Sequence, residues 1–224
     1  MLGFDFAKIS AHERYNLIIG LVAPRPIALV TTLDAAGRVN AAPFSAFNYM
    51  CVDPVLVVLG VANRSDKDKV SGRPVPKDTA QNIRARGEFV VHVVDESLAE
   101  AMNVCAIDFP PGVSEIAEAK LTTVPSTRVA VPRIAEAPAC LECREVTTVE
   151  RGNSRVVIGE VVFAHVREEF VDPAGPYIRA DEMHAIGRMN GAGNYVRTRE
   201  AFFKMPRIPY EDWHQGKDAS PRRP

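Results

Sequence analysis

Runs of β-branched residues occupy much of this chain, and they restrict its fold more than any other feature. Runs of this kind, bounded by Gly, Pro, Asn and Asp, are typical of strands. The two longest runs meet at Arg151-Gly152-Asn153-Ser154, which favours a hairpin turn between antiparallel strands. We therefore predict a mostly antiparallel sheet with strands at residues 27–33, 55–61, 88–94, 140–149 and 155–171.

Short helices are predicted between the strands by their capping residues. Ser10 and Glu13 have the spacing of a capping box, which begins a helix that Gly20 and Pro24 end. A second helix is predicted at residues 80–86, capped by Asp78 or Thr79 and ended by Gly87. A third follows Asp95 and buries Leu98, Ala101, Met102 and Cys105 at helical spacing, and a fourth is predicted at residues 114–119.

Length and composition are ordinary for a soluble domain. A chain of 224 residues can bury one sizeable core, so we expect a single domain at residues 1–204 and a partly disordered extension at 205–224. The formal net charge of -1 gives no electrostatic argument for nucleic acid. No apolar run approaches the ~20 residues that span a bilayer, so no membrane partner is expected.

The start of the chain and its cysteines favour a cytoplasmic location. Residues 1–6 carry Asp5 and lack the features of a secretory signal. Four cysteines are too few for a disulfide framework in a chain of this length. Cys140 and Cys143 are three apart on a predicted strand and face opposite sides, and no second pair completes a zinc site, so no metal is expected.

Two segments have the character of a ligand site. Residues 39–48 follow a tight turn and are small and rich in Asn and Ser, which permits close approach to a flat, polar-edged molecule. Lys77-Asp78-Thr79 places a cation at a helix start, where backbone amides and the macrodipole favour an anion. Alternatives stay open: an ordinary solvated cap at Lys77, and a strand-edge loop with Phe44 and Phe47 in the core.

In their order along the chain, these segments resemble the flavin reductase-like family. The resemblance rests on Arg25-Pro26-Ile27, Thr31-Thr32, Gly37, Asn40, Pro43-Phe44-Ser45-Ala46-Phe47-Asn48 and Lys77-Asp78-Thr79. Members of this family fold as split barrels that bind FMN, usually as two-fold dimers. The resemblance implies a mainly β, antiparallel split β-barrel with peripheral helices that binds FMN as a homodimer.

The resemblance also implies a set of cofactor contacts. Lys77 and Thr79 would contact the FMN phosphate, and Arg64 and Ser65 are further phosphate candidates by position. The flavin ring would lie along Pro43, Phe44, Ser45, Ala46, Phe47 and Asn48, and the cofactor-binding set is completed by Arg25, Thr31, Asn40, Asp78 and Arg188.

A later segment, His184 to Arg188 followed by Tyr195, resembles the family's region beside the exposed flavin face or the dimer seam. His184 is the candidate catalytic residue because an imidazole titrates near neutral pH, and a surface histidine is the alternative. Gly187, Gly191 and Gly193 lack the context of a dinucleotide fingerprint, so NAD(P)H would stack on the flavin rather than in a Rossmann fold.

The implied activity is that of an NAD(P)H-dependent flavin reductase. Hydride would pass from nicotinamide to N5 of FMN, and the reduced flavin would serve a flavin-dependent oxygenase or another electron acceptor. Two alternatives stay open. One is a flavoredoxin-like electron carrier or small-molecule reductase that retains FMN, and the other is an FMN-binding module without redox use.

A homodimer is also expected from the size of the barrel. A small barrel that binds a large flat cofactor at its edge leaves apolar surface uncovered, and a second subunit would cover it. Aromatic side chains near the end of the chain suit such a contact: Phe202, Phe203, Tyr210 and Trp213.

Overall fold

The structure is a computed structural model that describes residues 1–67, 74–110, 112–191, 193–199 and 210, without the side chains of residues 65–67. Its helices are α1 (Ala11–Leu21), α2 (Asp78–Arg86), α3 (Ala99–Val104) and α4 (Glu115–Glu118), with a 3-10 turn at Glu168–Phe170. Its strands are β1 (Arg25–Pro26), β2 (Ala28–Leu33), β3 (Val39–Phe44), β4 (Phe47–Val52), β5 (Val55–Lys67), β6 (Pro74–Pro76), β7 (Glu88–Val93), β8 (Thr123–Val124), β9 (Arg133–Ile134), β10 (Ala139–Arg151), β11 (Ser154–Val166), β12 (Ile186–Arg188) and β13 (Tyr195–Arg197).

The main sheet curls into an antiparallel split barrel. Its strands follow the order β3-β2-β7-β10-β11-β5-β4, and β6 pairs with β5. Ser45 and Ala46 connect β3 to β4, and the Gly60 N–H on β5 donates to the Ala46 carbonyl at 2.7 Å. A Cβ on Gly60 would lie 2.8 Å from the Ala46 Cβ, so glycine permits this approach. The predicted mainly β, antiparallel split-barrel fold is confirmed.

The barrel interior is apolar and includes one face of α2. Phe89 is fully buried there against Gly159, where a Cβ would come within 2.4 Å of the ring. Ala80 and Ile83 of α2 belong to the same cluster. Burial of these side chains anchors α2 to the barrel and holds its first turn beside β3.

Two further apolar clusters cover the outer faces of the strands. Leu98 and Met102, around α3, pack on β2 and β3, and Val131 packs on β7 and β10. Cys140 belongs to the outer cluster and Cys143 to the barrel interior, so the two thiols lie on opposite faces of β10. Among the described residues, no group of three or more His, Cys, Asp or Glu side chains could hold a metal ion.

Several local predictions are confirmed at the ends of elements. The Glu13 N–H donates to Ser10 Oγ at 3.2 Å, and the Ser10 N–H donates to Glu13 Oε2 at 2.8 Å, which completes the capping box. Gly87 ends α2 in the left-handed conformation, with φ of 70°. Arg151 pairs with Ser154, so Gly152 and Asn153 form the predicted hairpin turn.

The start of α2 differs from the prediction. Lys77 is the N-cap, and no side chain caps the helix, so neither Asp78 nor Thr79 has the capping role. Both side chains have other partners. Asp78 lies 3.4 Å from Arg64, and the Thr79 hydroxyl accepts from the Asn40 amide at 3.2 Å.

Strand boundaries also differ where they depend on a partner strand. The sequence does not predict β3 and β4, because their small and polar residues lack a β-branched pattern; pairing with β2 and β5 makes them strands. The strand predicted to reach residue 171 ends at Val166. Its partner β10 begins at Ala139, opposite Val166, so residues of β11 beyond Val166 would have no β10 residues to pair with.

The end of the chain is represented only by Tyr210. The rest of the extension predicted at residues 205–224, with Phe202 and Phe203 before it, lies outside the described residues. The domain boundary at residue 204 therefore stays a prediction. In the part of the chain that the structure describes, no helix has the length and apolar character needed to cross a membrane.

Candidate functional site

The free edge of β3 forms the floor of a cleft. Among the residues that the structure describes, β3 pairs with β2 alone, and Pro43 suits this edge because it has no N–H to leave unpaired. The first turns of α2 form one wall, and residues 105–110 and 112–115 form the other. The cleft has two connected lobes with volumes of about 100 and 400 Å³, which share Asn40, Arg64, Asp78, Phe109 and Glu115.

The start of α2 gives the smaller lobe an anion-binding corner. Lys77 is half-buried and lines this lobe, and no carboxylate of the described residues lies within ion-pair distance of its ammonium group. The Ala80 N–H donates to the Lys77 carbonyl at 3.0 Å, but no side chain caps α2, so the N–H groups of Asp78 and Thr79 remain available to a ligand. A cation beside free helix amides favours a phosphate or another anion.

Two contacts join this corner to the strands. Asn40 Nδ2 on β3 donates to Thr79 Oγ1 at 3.2 Å, and Arg64 Nη1 on β5 lies 3.4 Å from Asp78 Oδ2. The side chain of Ser65, a predicted phosphate contact, lies outside the described residues. The cleft brings together six members of the predicted cofactor-binding set: Asn40, Pro43, Arg64, Lys77, Asp78 and Thr79.

Glu115 contributes a carboxyl group to both lobes. Burial raises the pKa of Glu115 and outweighs the lowering by backbone N–H groups at Glu115 and Ala41, and the nearby Asp78 carboxylate adds a smaller increase. At a given pH, a larger fraction of this carboxyl is therefore protonated. Protonation reduces its repulsion of an anionic ligand.

Five residues of the predicted ring-binding segment do not line the cleft: Phe44, Ser45, Ala46, Phe47 and Asn48. Phe44 is 9% exposed and belongs to the barrel core, and Phe47 packs against that core. Both side chains pack with the core, because side-chain alternation along the strands turns them inward, and their contact with the flavin ring stays a prediction. Ala46 is exposed in the β3–β4 turn, where its carbonyl accepts the Gly60 N–H, and Asn48 is exposed, with Oδ1 accepting the Tyr49 N–H at 2.9 Å.

Arg25 and Ser45 meet at the end of β3. Arg25 Nε donates to Ser45 Oγ at 3.3 Å. The Nη atoms of Arg25 donate to the main-chain carbonyls of Ile19, Val22 and Met189 at 2.5, 2.8 and 2.6 Å. This arginine therefore joins the end of α1 and the loop after β12 to the β3–β4 turn.

Three other predicted residues lie away from the cleft. Thr31 is fully buried and donates to the Pro132 carbonyl at 2.8 Å, so its side chain holds the fold, and its contact with a cofactor stays a prediction. The Arg188 guanidinium lies 4.6 Å from the centre of the Tyr195 ring. His184 is exposed with a φ of 52° and is not among the cleft residues, so its catalytic role stays a prediction.

Sequence reasoning missed Asn82, Phe109 and Glu115. Asn82 follows Thr79 by one helical turn, so helical spacing could have found it; its Nδ2 donates to Thr32 Oγ1 at 3.0 Å. Phe109 and Glu115 reach the cleft because of how α3 packs on the sheet. No local pattern signals that arrangement.

The fold is that of a split-barrel protein, and its cleft has a lysine and an uncapped helix start at one corner. Residues 21–185 match the model of the flavin reductase like domain, and the chain belongs to this family. The predicted resemblance is thereby confirmed. The family is one of flavin-binding oxidoreductases.

Two solved structures are similar over nearly the whole chain. Nitrilotriacetate monooxygenase component B from Bacillus cereus has a TM-score of 0.82 at 33% identity, covering 91% of this chain and 98% of that chain. The 2-nitrobenzoate 2-nitroreductase of Pseudomonas fluorescens has a TM-score of 0.80 at 38% identity, covering 93% of this chain and 97% of that chain. An NADH:riboflavin 5'-phosphate oxidoreductase from Streptomyces pristinaespiralis is 28% identical over 151 residues, 67% of this chain and 74% of that protein.

Proposed function

We propose that this chain binds FMN in the cleft along β3 and acts as an NAD(P)H-dependent flavin reductase. The observation that carries the proposal is the Lys77 ammonium, which has no carboxylate partner among the described residues and lies beside the uncapped first turn of α2. A phosphate dianion would satisfy both the cation and the amides. The Streptomyces relative, named for riboflavin 5'-phosphate, which is FMN, supports the same ligand.

The residues present fit the shape of FMN. Lys77, Arg64 and Thr79 would hold the phosphate, and Pro43 and Ser45 would lie along the ring. Since a strand rises about 3.3 Å per residue, β3 runs roughly 16 Å from Asn40 to the position of Ser45, which suits an extended ligand with a phosphate at one end and a ring at the other. Lys77, Arg64 and Thr79 would hold FMN so that, when bound, it would supply the redox chemistry, accepting a hydride from NAD(P)H, which would leave as NAD(P)+, and giving two electrons to an acceptor.

The comparisons favour two classes of acceptor. The Bacillus cereus neighbour is a component of a monooxygenase, which supports a role in supplying reduced flavin to an oxygenase. The Pseudomonas neighbour is a nitroreductase, which favours a second candidate, a reductase that retains FMN and reduces a small molecule or carries electrons.

Anaerobic mixing with NADH and with NADPH tests the proposal. We expect the visible absorbance of FMN to bleach with at least one of them, at a rate proportional to protein concentration, with a protein-free mixture as the control. Rapid turnover of excess free FMN supports the flavin-supplying reductase. FMN that stays bound through gel filtration, with negligible turnover of free flavin, supports the second candidate. If bound FMN bleaches with neither nucleotide, the reductase proposal is wrong and an FMN-binding module without redox use is favoured.

A further inference from the structure

The cleft continues beyond the corner that Lys77 forms. Along β3, Ala42 and Pro43 line the smaller lobe, Val39 lines the larger one, and Asn40 lines both. The larger lobe therefore lies toward the β2–β3 turn, on the far side of the proposed phosphate from the proposed ring. Its volume of about 400 Å³ is within the usual range for small-molecule sites. FMN with its phosphate at Lys77 and its ring along Pro43 leaves this lobe empty.

Asn82 places an open amide in the larger lobe. The residue is 8% exposed, and its Nδ2 donates to Oγ1 of the buried Thr32 at 3.0 Å, which fixes the side chain. Asn82 Oδ1 accepts no hydrogen bond from the described residues and is not enclosed, so a ligand in the lobe can reach it. An amide oxygen held in this way is an acceptor for an amino group, such as N6 of adenine.

Phe109 gives the larger lobe an aromatic wall. It is half-buried in the wall opposite α2 and lines both lobes. A Cβ on Gly112 would lie 4.0 Å from Arg38 Nη1, so the Arg38 side chain reaches from the β2–β3 turn to this wall and lines the lobe. Because an aromatic side chain offers a face on which a nucleobase stacks, the wall suits a base.

The charges of the larger lobe are largely balanced. Arg38 Nε lies 2.7 Å from Asp34 Oδ2, and Arg64 Nη1 lies 3.4 Å from Asp78 Oδ2. Glu115 adds a further carboxyl group, whose pKa is raised by burial. Carboxyl oxygens accept hydrogen bonds from hydroxyls and repel phosphate. This lining therefore suits a neutral group with hydroxyls and a base better than it suits a further phosphate.

We propose that the larger lobe is a second subsite, which takes the adenosine end of a dinucleotide. Adenine would stack on Phe109 and donate from N6 to Asn82, and the ribose hydroxyls would face Glu115. FAD, which is FMN extended from its phosphate by an adenylate, fits most directly because the lobe joins the phosphate corner. NAD(P)H carries the same end and is the other source. The inference rests on the proposed function, since that function places the flavin phosphate at Lys77.

Calorimetric titrations distinguish the two sources. The flavin-free full chain is titrated with FMN and with FAD, and the FMN-loaded protein is titrated with NAD+ and with nicotinamide mononucleotide, which lacks the adenosine. Stacking of the base should make the compound that carries adenosine bind about tenfold more tightly within one of these pairs. The pair that shows the preference identifies the source. A preference in neither pair would overturn the inference.

The same ratio of dissociation constants tests the two residues. Phe109→Ala should reduce the preference for adenosine to about twofold, whereas Phe109→Tyr, which keeps a ring, should retain it. Asn82→Ala should reduce the preference to about threefold through the lost acceptor. If Asn82→Ala does not fold, the Phe109 pair alone decides. An undiminished preference in Phe109→Ala would overturn the assignment of this lobe.

Phe4→Ala is the matched control, since Phe4 is 55% exposed and lines neither lobe. Its preference should equal that of the unmodified protein. The proposed function and this inference fail in different ways. A chain that binds neither flavin refutes the proposed function and the inference with it. A chain that binds FMN but shows no preference for adenosine in either pair refutes the inference alone.

Discussion

His92 is a buried residue that joins β2, β7 and β9. Its Nδ1 lies 2.8 Å from the Leu29 carbonyl, and its Nε2 lies 2.8 Å from the Ile134 nitrogen. A carbonyl accepts and an N–H donates, so Nδ1 carries the hydrogen and the ring is neutral. Burial lowers the pKa of His92 to about 4, and the Arg133 charge adds to this, against the opposing effect of the Leu29 bond.

Stability should therefore fall as acid is added, through His92. The folded-state pKa lies below the ordinary value of 6.5, so the unfolded chain binds a proton that the folded chain does not. The stabilisation from neutral His92 is therefore fully present above pH 6.5 and is lost as the pH falls toward 4. Between pH 7 and pH 5 it amounts to about 2 kcal/mol of unfolding free energy.

Urea unfolding at pH 7 and pH 5 measures this loss. His92→Gln, which cannot titrate, should be less stable at pH 7 but should lose about 2 kcal/mol less than the unmodified protein on going to pH 5. If both proteins lose the same unfolding free energy between pH 7 and pH 5, His92 is not the group whose protonation destabilises the fold.

Lys77 is the residue on which ligand affinity should depend most. Lys77→Ala removes a charge-assisted contact to the proposed phosphate, so FMN binding should weaken by about 1.5–3 kcal/mol. Fluorescence quenching of FMN measures the dissociation constant. Lys8→Ala, an exposed lysine beside Asp5, is the control and should leave affinity unchanged. If Lys77→Ala binds FMN as tightly as the unmodified protein does, Lys77 does not contact the phosphate.

At the scale of elements, the connection from residue 122 to 138 is held to the sheet by side chains. Glu142 is buried and accepts the N–H groups of Thr127, Arg128 and Val129 at 2.7, 2.6 and 3.2 Å. It also lies 2.6 Å from His165 Nε2. Burial acts to raise the pKa of Glu142, but these donors together outweigh it, so its pKa is lowered and the carboxylate stays charged at neutral pH.

Glu142→Gln should destabilise the fold by about 3 kcal/mol, because an amide replaces one acceptor oxygen with a donor and leaves buried N–H groups unpaired. The matched control is Glu88→Gln, since Glu88 accepts a single N–H of the same connection, that of Ala130 at 2.8 Å. Its loss should be about 1 kcal/mol. Chemical denaturation measures both, and equal losses would contradict a special role for Glu142.

Elements differ in how far the sequence predicts them. The capping box at Ser10, the left-handed Gly87 and the turn at Gly152 are predicted because their geometry depends on a few adjacent residues. β3 is not predicted, because its small residues become a strand only when β2 pairs with them. The cleft beside it depends on the same pairing.

At the scale of the whole molecule, apolar side chains remain exposed on α1 and on β4. α1 buries none of its residues, and Leu21 is 75% exposed. On the edge strand β4, Tyr49 and Met50 are 64% and 61% exposed. We propose that a second copy of the chain covers these faces, because such surface is uncommon on a monomer.

Light scattering at micromolar concentration should accordingly give about twice the chain mass of 24.5 kDa. Met50→Glu should shift the population toward monomer by placing a charge on the covered face. Val149→Glu, at an exposed apolar position on the β10–β11 hairpin, should leave the mass unchanged. A monomeric mass for the unmodified protein would refute the homodimer.

By itself, the sequence determined the antiparallel strands, the helix ends and the order of motifs that places the chain among flavin reductase-like proteins. These depend on residue types and on neighbours a few positions apart. Only the tertiary structure decided that Phe44 packs inward, that Thr31 binds Pro132 and that Arg25 holds Ser45. Each of these depends on which strands pair and which sheet face a later segment covers, and contacts between distant residues leave no local pattern.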